Sequence, residues 1–524
     1  MTMRRRVRNT ALLCAALGAR TLAAQDSTTV AADTVVPIAP QAPAVEERRG
    51  ASPTLPQEHW AVRAAARAEA LGLAPGYFPA QRSAPLAAVA AALREAAMRA
   101  PLERPAMGAV AAGWVRRLEE EFSGVRAGER SPLLGASAGV AGAELRGRLR
   151  PASGLFAART DPVPLADVSE WGGTGMAAAA LGPLALVAAA TATDDGVYVP
   201  LWEVSGDAGP LSLGFGRQPV GYGPGRGGGV ILSGQVPLVR GQIQTARPVH
   251  LPWVLRHLGP TTFHTSLTRL REPRQRGNPW FWTARMGVQP HPRVEVAVSR
   301  ASIFGGDSIS TPTNLENVAK MALGLLSLDF ENQEVSADFR VRLPTERWLP
   351  ATAYLEWGAE DAAGALRDVP GRVVGVLLPA LPGVPGVSAG AEYAHFPVHC
   401  CGNPPWYFHA AHPGGWVYRD LPLGHPLGGE GHEASVYADA ELWDARVRLS
   451  GRAFFRERSQ EGFLTTPQRA GNLYSPTRAG GSRGGALDAA LRLAPHAEGT
   501  VSLYRDAGDG WREQRLRVGL SYLF

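Results

Sequence analysis

The sequence predicts an all-β transmembrane antiparallel barrel preceded by a small α-helical domain, and three observations carry that prediction. The chain ends in nine strictly alternating residues: Leu516, Val518, Leu520, Tyr522 and Phe524 fall on one face, and Arg517, Gly519, Ser521 and Leu523 on the other. Successive strand side chains point to opposite faces, so this segment suits a wall between hydrocarbon and a polar lumen. The chain begins with a basic stretch and a short apolar run of export-signal type. Between the two ends, apolar residues recur with a period of two over most of the length.

Residues 1–24 read as a secretory signal peptide. Arg4, Arg5, Arg6 and Arg8 form its basic head, Ala11 to Ala19 its apolar run, and Thr21, Ala23 and Ala24 its small-residue end, with cleavage after Ala23 or Ala24. The apolar run is too short to span a bilayer as a helix. The formal net charge of +6 includes five arginines and no acid within residues 1–24, which leaves the mature chain near +1. A nearly neutral chain carries no nucleic-acid footprint. Cys14 leaves with the signal, so only the adjacent Cys400 and Cys401 remain, and neither a vicinal disulfide nor a reduced pair would staple the fold.

Residues 25–56, rich in Ala, Pro, Thr and charge without a sustained period, read as a flexible linker. Residues 57–125 change to helical periodicity. Trp60, Ala64, Ala68 and Leu71 mark one stripe, ended by Gly72; Leu86, Val89, Ala90, Leu93 and Ala97 mark a second, with Ser83 as its expected N-cap. Met107, Val110, Ala111, Trp114, Leu118 and Phe122 mark a third. Three short amphipathic helices bury such stripes against each other or against another body. A small domain on the periplasmic side of the barrel is expected.

From residue 132 to 524 the period is two. Val294, Val296 and Val298 alternate with Arg293, Glu295 and Ser299; Val335, Ala337, Phe339 and Val341 alternate with Ser336, Asp338, Arg340 and Arg342. At roughly 20 to 25 residues per strand and connection, this length holds about 16 to 20 strands. The most apolar stretch, Met176 to Ala190, is interrupted by Gly182 and Pro183 and predicts two strands joined by a tight turn.

No motif assigns catalysis or a cofactor. Gly135-Ala-Ser137-Ala-Gly139 and Gly386-Val-Ser388-Ala-Gly390 match the nucleophile-elbow spacing, but the second precedes a strand-like run, and the motif needs a turn from strand into helix. Gly223, Gly225 and Gly228 have dinucleotide-loop spacing, yet Val230, Ile231 and Leu232 follow where a helix N-terminus is required. That glycine density predicts backbone packed closely at a barrel turn or inward-folded loop. His395, His399, Cys400, Cys401, His409 and His412 have metal-ligand side chains without a standard zinc spacing, and no metal site is assigned. Two aromatic knots stand out, one with Trp280 and Trp282, the other with Trp406 and Tyr407. Either knot can belong to an interfacial aromatic girdle, or can stack on pyranose rings while Arg274 and Arg276 pair with glycan carboxylates.

Three stretches together resemble the capsule assembly Wzi family. They are the helical segment with Trp60, Leu71 and Gly72; Gly216 to Ser233, containing Gly221, Tyr222, Gly223, Pro224 and Gly225; and Gly414 to Gly429, containing Gly424 and His425. Tyr222 stands where the family usually has Trp. The resemblance implies a periplasmic helical bundle before a barrel of about 18 strands, and a non-enzymatic outer-membrane protein. It also implies capsular or exopolysaccharide as the partner, held by loops at the cell surface. Membrane lipid, the barrel assembly machinery during biogenesis, and a monomeric state complete the expectation. A porin-like channel for small anions, lined by inward arginines, is the alternative.

Overall fold

The structure is a computed structural model that describes residues 53–55, 57, 59–122, 135–141, 172–181, 183–193, 196–272, 275, 277–307, 309–323, 330–360, 370–398, 406–409, 411–418, 421–459, 479–494, 497–508 and 511–523. The expected signal peptide, most of the expected linker, Arg274, Arg276, Cys400, Cys401 and Phe524 lie outside the described residues.

Eighteen long strands among the described residues form one closed antiparallel barrel. They are β1 (Gly135–Ala141), β2 (Gly172–Leu181), β3 (Leu184–Thr193), β4 (Gly196–Ala208), β5 (Leu211–Gly221) and β6 (Ser233–Thr245). Next come β7 (Pro260–Arg269), β8 (Trp280–His291), β9 (Val294–Phe304), β10 (Glu331–Arg342), β11 (Thr352–Glu360) and β12 (Gly371–Leu378). The last six are β13 (Val387–Phe396), β14 (Gly431–Leu442), β15 (Val447–Arg458), β16 (Gly480–Ala494), β17 (Ala497–Gly508) and β18 (Trp511–Leu523). The carboxy-terminal strand closes the ring on the first one, in a register running from Gly519 opposite Ala141 to Leu523 opposite Ser137.

Alternation sets the two faces. On β10, Asn332, Glu334, Ser336, Asp338, Arg340 and Arg342 point inward and are buried, while Ala337 and Phe339 are exposed on the outer wall. On β18, Val518 and Leu520 are exposed outward as expected. The Met176 to Ala190 stretch is the predicted hairpin, with Leu181 opposite Leu184. Many inward charges pair with one another: Arg285 of β8 binds Asp338 at 2.5 and 3.0 Å and lies 3.5 Å from Glu295, and Arg456 of β15 bridges Glu433 at 2.8 Å and Asp506 at 3.2 Å. Such pairs let a polar interior be dense without leaving charges uncompensated.

Short connections gather at one end of the barrel, for example residues 209–210 and 292–293, and long ones at the other, notably 305–330 and 397–430. The helices α1 (Trp60–Ala70), α2 (Leu86–Glu103) and α3 (Gly108–Glu121) pack together in the short-turn mouth around Trp60, Leu71, Val89, Leu93, Trp114, Leu118 and Phe122. Gly72, at φ +81°, ends α1 as expected: its amide donates to Glu69 O at 2.8 Å, and the Leu73 amide to Ala68 O at 2.9 Å. The expected cap of α2 is corrected. Ser83 makes no cap; Pro85 occupies the N-cap position without a side-chain bond, and Ala84–Pro85 pairs with the short strand Thr54–Leu55. Pairing therefore begins inside the stretch read as linker, because Thr54 is tied to Glu203 of the wall at 2.9 Å.

A closed barrel of this size resists detergent unless heated. The unboiled protein is expected to migrate differently from the boiled protein on a denaturing gel, and identical migration would count against closure.

Candidate functional site

The lumen is occupied from both ends. At the short-turn end, α1 is locked to the wall by two buried charges. Arg67 donates to Pro379 O at 2.7 Å and pairs with Glu441 at 2.9 Å, while Glu69 pairs with Arg340 and lies 3.6 Å from Arg342. Trp114 of α3 donates from its indole nitrogen to the same Glu441 at 2.9 Å, and Arg117 pairs with Glu498 at 3.1 Å. Arg67, Glu69, Arg117, Glu441 and Glu498 were not singled out in the sequence, and Trp114, Arg340 and Arg342 only as members of periodic patterns; partners lying hundreds of positions apart leave no local signal.

At the long-loop end, two loops fold inward. Residues 222–232 follow β5, and their backbone amides meet carboxylates from opposite strands. Arg226 and Gly227 donate to Glu392 at 2.6 and 2.8 Å, and Val230 donates to Glu356 at 3.1 Å. The Arg226 guanidinium binds Asp439 through both terminal nitrogens, at 2.5 and 2.7 Å, and lies 4.6 Å over the Tyr437 ring. Gly223 has φ +94° with the Glu356 carboxylate where a Cβ would stand, which explains why glycine is needed there. The inward-folded loop expected from the glycine density is what forms.

Residues 406–409, 411–418 and 421–430 supply the second loop, and it packs on the first. Tyr407 donates to Val230 O at 2.5 Å and accepts from the His425 amide at 2.9 Å; Trp416 donates to Ile231 O at 2.8 Å; the Ser233 amide donates to Leu423 O at 2.8 Å. A Cβ on Gly424 would enter the Tyr407 ring. The structure thus brings together the two motif stretches, Gly221 to Gly225 and Gly424–His425, as the two halves of one plug. Burial, reinforced by Arg452, Arg456 and Arg82 against the pull of Glu433, lowers His425 to about 3, so the plug keeps a neutral imidazole. Tyr222 is fully buried; its hydroxyl lies 2.6 Å from His264 Nδ1 and 3.0 Å from Thr283 Oγ1, and burial pushes that hydroxyl's ionisation up.

The two closures touch. The Gly223 amide donates to Ala80 O at 3.0 Å, the Arg82 amide donates to Gly221 O at 3.1 Å, and Gln81 bridges to Tyr222.

The remaining predicted residues separate. Trp406 and Tyr407 are only 2% and 0% exposed, with Phe396 edge-on to Trp406 at 5.1 Å, so their expected role as an exposed sugar platform or membrane girdle is corrected: they are core of the plug. Trp280 and Trp282 alternate with the inward Phe281 and Thr283, so they face outward near the long-loop rim, and Arg269 lies 5.6 Å over Trp280. Arg274 and Arg276 lie outside the described residues, but Gln275 between them anchors their loop by donating to Gly415 O at 3.0 Å and Val417 O at 2.6 Å. Of the histidine and cysteine cluster, burial pushes His412 down to about 4, and its Nε2 donates to Phe330 O at 3.3 Å. Among the described residues no three His, Cys, Asp or Glu side chains converge as a metal site. Ser137 and Ser388 both lie within strands, without the turn a nucleophile requires.

The family model described as capsule assembly protein Wzi matches residues 202–472, just over half of the chain. Among solved structures the chain is similar to Escherichia coli Wzi, described as an outer membrane protein involved in group 1 capsule assembly and a carbohydrate binding beta-barrel. The TM-score is 0.69 at 16% identity, covering 89% of this chain and 98% of that one. At that identity the likeness is one of fold. Pseudomonas aeruginosa OpdL and OprD align with TM-scores of 0.45 and 0.44 at 10% and 7% identity, covering 74% of this chain and 98% and 94% of theirs. No curated protein matches the sequence.

Proposed function

The chain belongs to the capsule assembly protein Wzi family, and on that premise we propose that it is a non-enzymatic outer-membrane barrel that binds capsular or exopolysaccharide and helps attach or assemble it at the cell surface. The single observation that carries this reading is the double closure of the lumen. A barrel of 16 to 18 strands encloses an aqueous channel unless something fills it. Here the helical segment meets the first infolded loop through the Ala80–Gly223 and Gln81–Tyr222 contacts, and the second infolded loop packs on the first. Such a body is built to present loops rather than to pass solutes, which favours binding over the anion channel.

Short turns of outer-membrane barrels lie in the periplasm and long loops outside. In that orientation the helical segment is periplasmic and the 270–279 loop is at the surface. Arg271, Arg274 and Arg276 of this loop are the proposed contacts for glycan carboxylates, which guanidinium groups bind through two parallel bonds. Arg274→Ala with Arg276→Ala is expected to weaken retention of an acidic polysaccharide by about tenfold at low salt, with the barrel still folded by gel shift. Unchanged retention would move the contact to another loop, and a neutral glycan retained equally well would remove the ion-pair argument.

A further inference from the structure

The long 305–330 connection contains a fourth helix, α4 (Leu315–Ala322), and it sits outside the barrel. Its inner face, Val318 and Met321, packs on Phe304, Phe330, Trp280 and Trp282. Trp280 lies opposite Phe304 and Trp282 opposite Ser302, and paired residues share a face, so all four belong to the outer wall. Arg300, on that wall as well, donates to Ala322 O at 3.0 Å and fixes the helix end, while the Asn314 side chain caps the start through the Asn317 amide at 2.8 Å.

With its inner face occupied, α4 still shows oil. Leu315 and Leu323 are 85% and 72% exposed, and Ala319 and Ala322 lie between them on the same arc. Glu316, Asn317 and Lys320 fill the remaining edge, with Lys320 and Glu316 paired at 2.5 Å. The strands that form this side of the wall carry further exposed apolar residues on the same outer face: Phe263 and Leu267 on β7, Met286 on β8, Val298 on β9 and Phe339 on β10. We propose that α4 is a membrane-interface helix whose Leu315–Leu323 arc docks on the acyl chains of the outer leaflet at the rim, with its Glu316–Lys320 edge turned to the headgroups. The seat of α4 on the outer wall selects lipid as the occupant: a helix clamped to a lipid-facing wall brings its exposed apolar arc to the same hydrocarbon. The proposal rests on the outer-membrane reading of the barrel and adds a second, non-strand contact with lipid.

The test uses the full chain with Cys14→Ser, Cys400→Ser and Cys401→Ser, reconstituted in phosphatidylcholine vesicles whose acyl chains carry bromine near the headgroup. A bimane label is placed in turn by Leu315→Cys, Glu316→Cys and Val298→Cys. Quenching at Leu315 is expected to approach that at Val298 and to exceed that at Glu316 by about twofold. Leu315 unquenched beside a quenched Val298 would overturn the proposal and place the arc in water or against glycan. Protection of Leu315 that disappears when the protein is diluted in lipid would overturn it in favour of a second copy of the chain. An unquenched Val298 would overturn the embedding itself, and the helix proposal with it.

Discussion

Truncating Trp406 to alanine is expected to lower barrel stability by about 3–5 kcal/mol, as for a large aromatic removed from a sealed core. The ring sits edge-on to Phe396 at 5.1 Å and to Tyr407 at 5.7 Å, and a Cβ on Gly371 would stand 2.9 Å from it, so the wall has closed around that ring. Tyr407→Phe separates packing from hydrogen bonding. It keeps the ring volume and removes only the hydroxyl that joins Val230 O to the His425 amide, which orphans two backbone groups at a cost of about 1–3 kcal/mol. Both are read as the urea midpoint at which the heat-sensitive gel band disappears. A near-normal midpoint in Trp406→Ala, with polysaccharide retention lost, would return this pair to a ligand site.

The contrast between the two aromatic knots shows what the sequence makes legible. Wall strands announce themselves because hydrocarbon imposes a rule at every second position: Val335, Ala337, Phe339 and Val341 were assignable to one face without knowing any neighbour. Closure by the terminal strand and the Met176 to Ala190 hairpin were readable for the same reason. Infolded loops obey no such rule. A Pro-aromatic loop that turns into the lumen has the same composition as one that meets sugar or lipid, and only its partners, Val230 O and the Gly424 backbone, reveal which it is. Glycine was the exception, since a run such as Gly223 to Gly229 signals close backbone approach whatever it approaches. The apolar arc of α4 is only about two turns long, too short to stand out against surrounding period-two strands. The buried charges Arg67 and Glu69 were hidden on the polar side of an amphipathic helix, where solvent is the ordinary partner and the barrel wall is the actual one.

Those hidden charges set up the largest functional change available. Two closures in series behave as two resistances in series, so opening one alone leaves the other in control. Arg67→Ala with Glu69→Ala removes the ion pairs of α1 with Glu441, Arg340 and Arg342, and Arg226→Ala removes the guanidinium tie of the infolded loop to Asp439 and the Tyr437 ring. Each set alone is expected to leave planar-bilayer conductance close to the wild-type baseline. The triple variant is expected to exceed either by at least about tenfold, because an unplugged barrel of this strand number is an aqueous channel. Additive, modest increases from the two sets would mean that the closures leak in parallel instead of sealing in series. A wild-type protein that already conducts freely would overturn the binding reading and restore the channel.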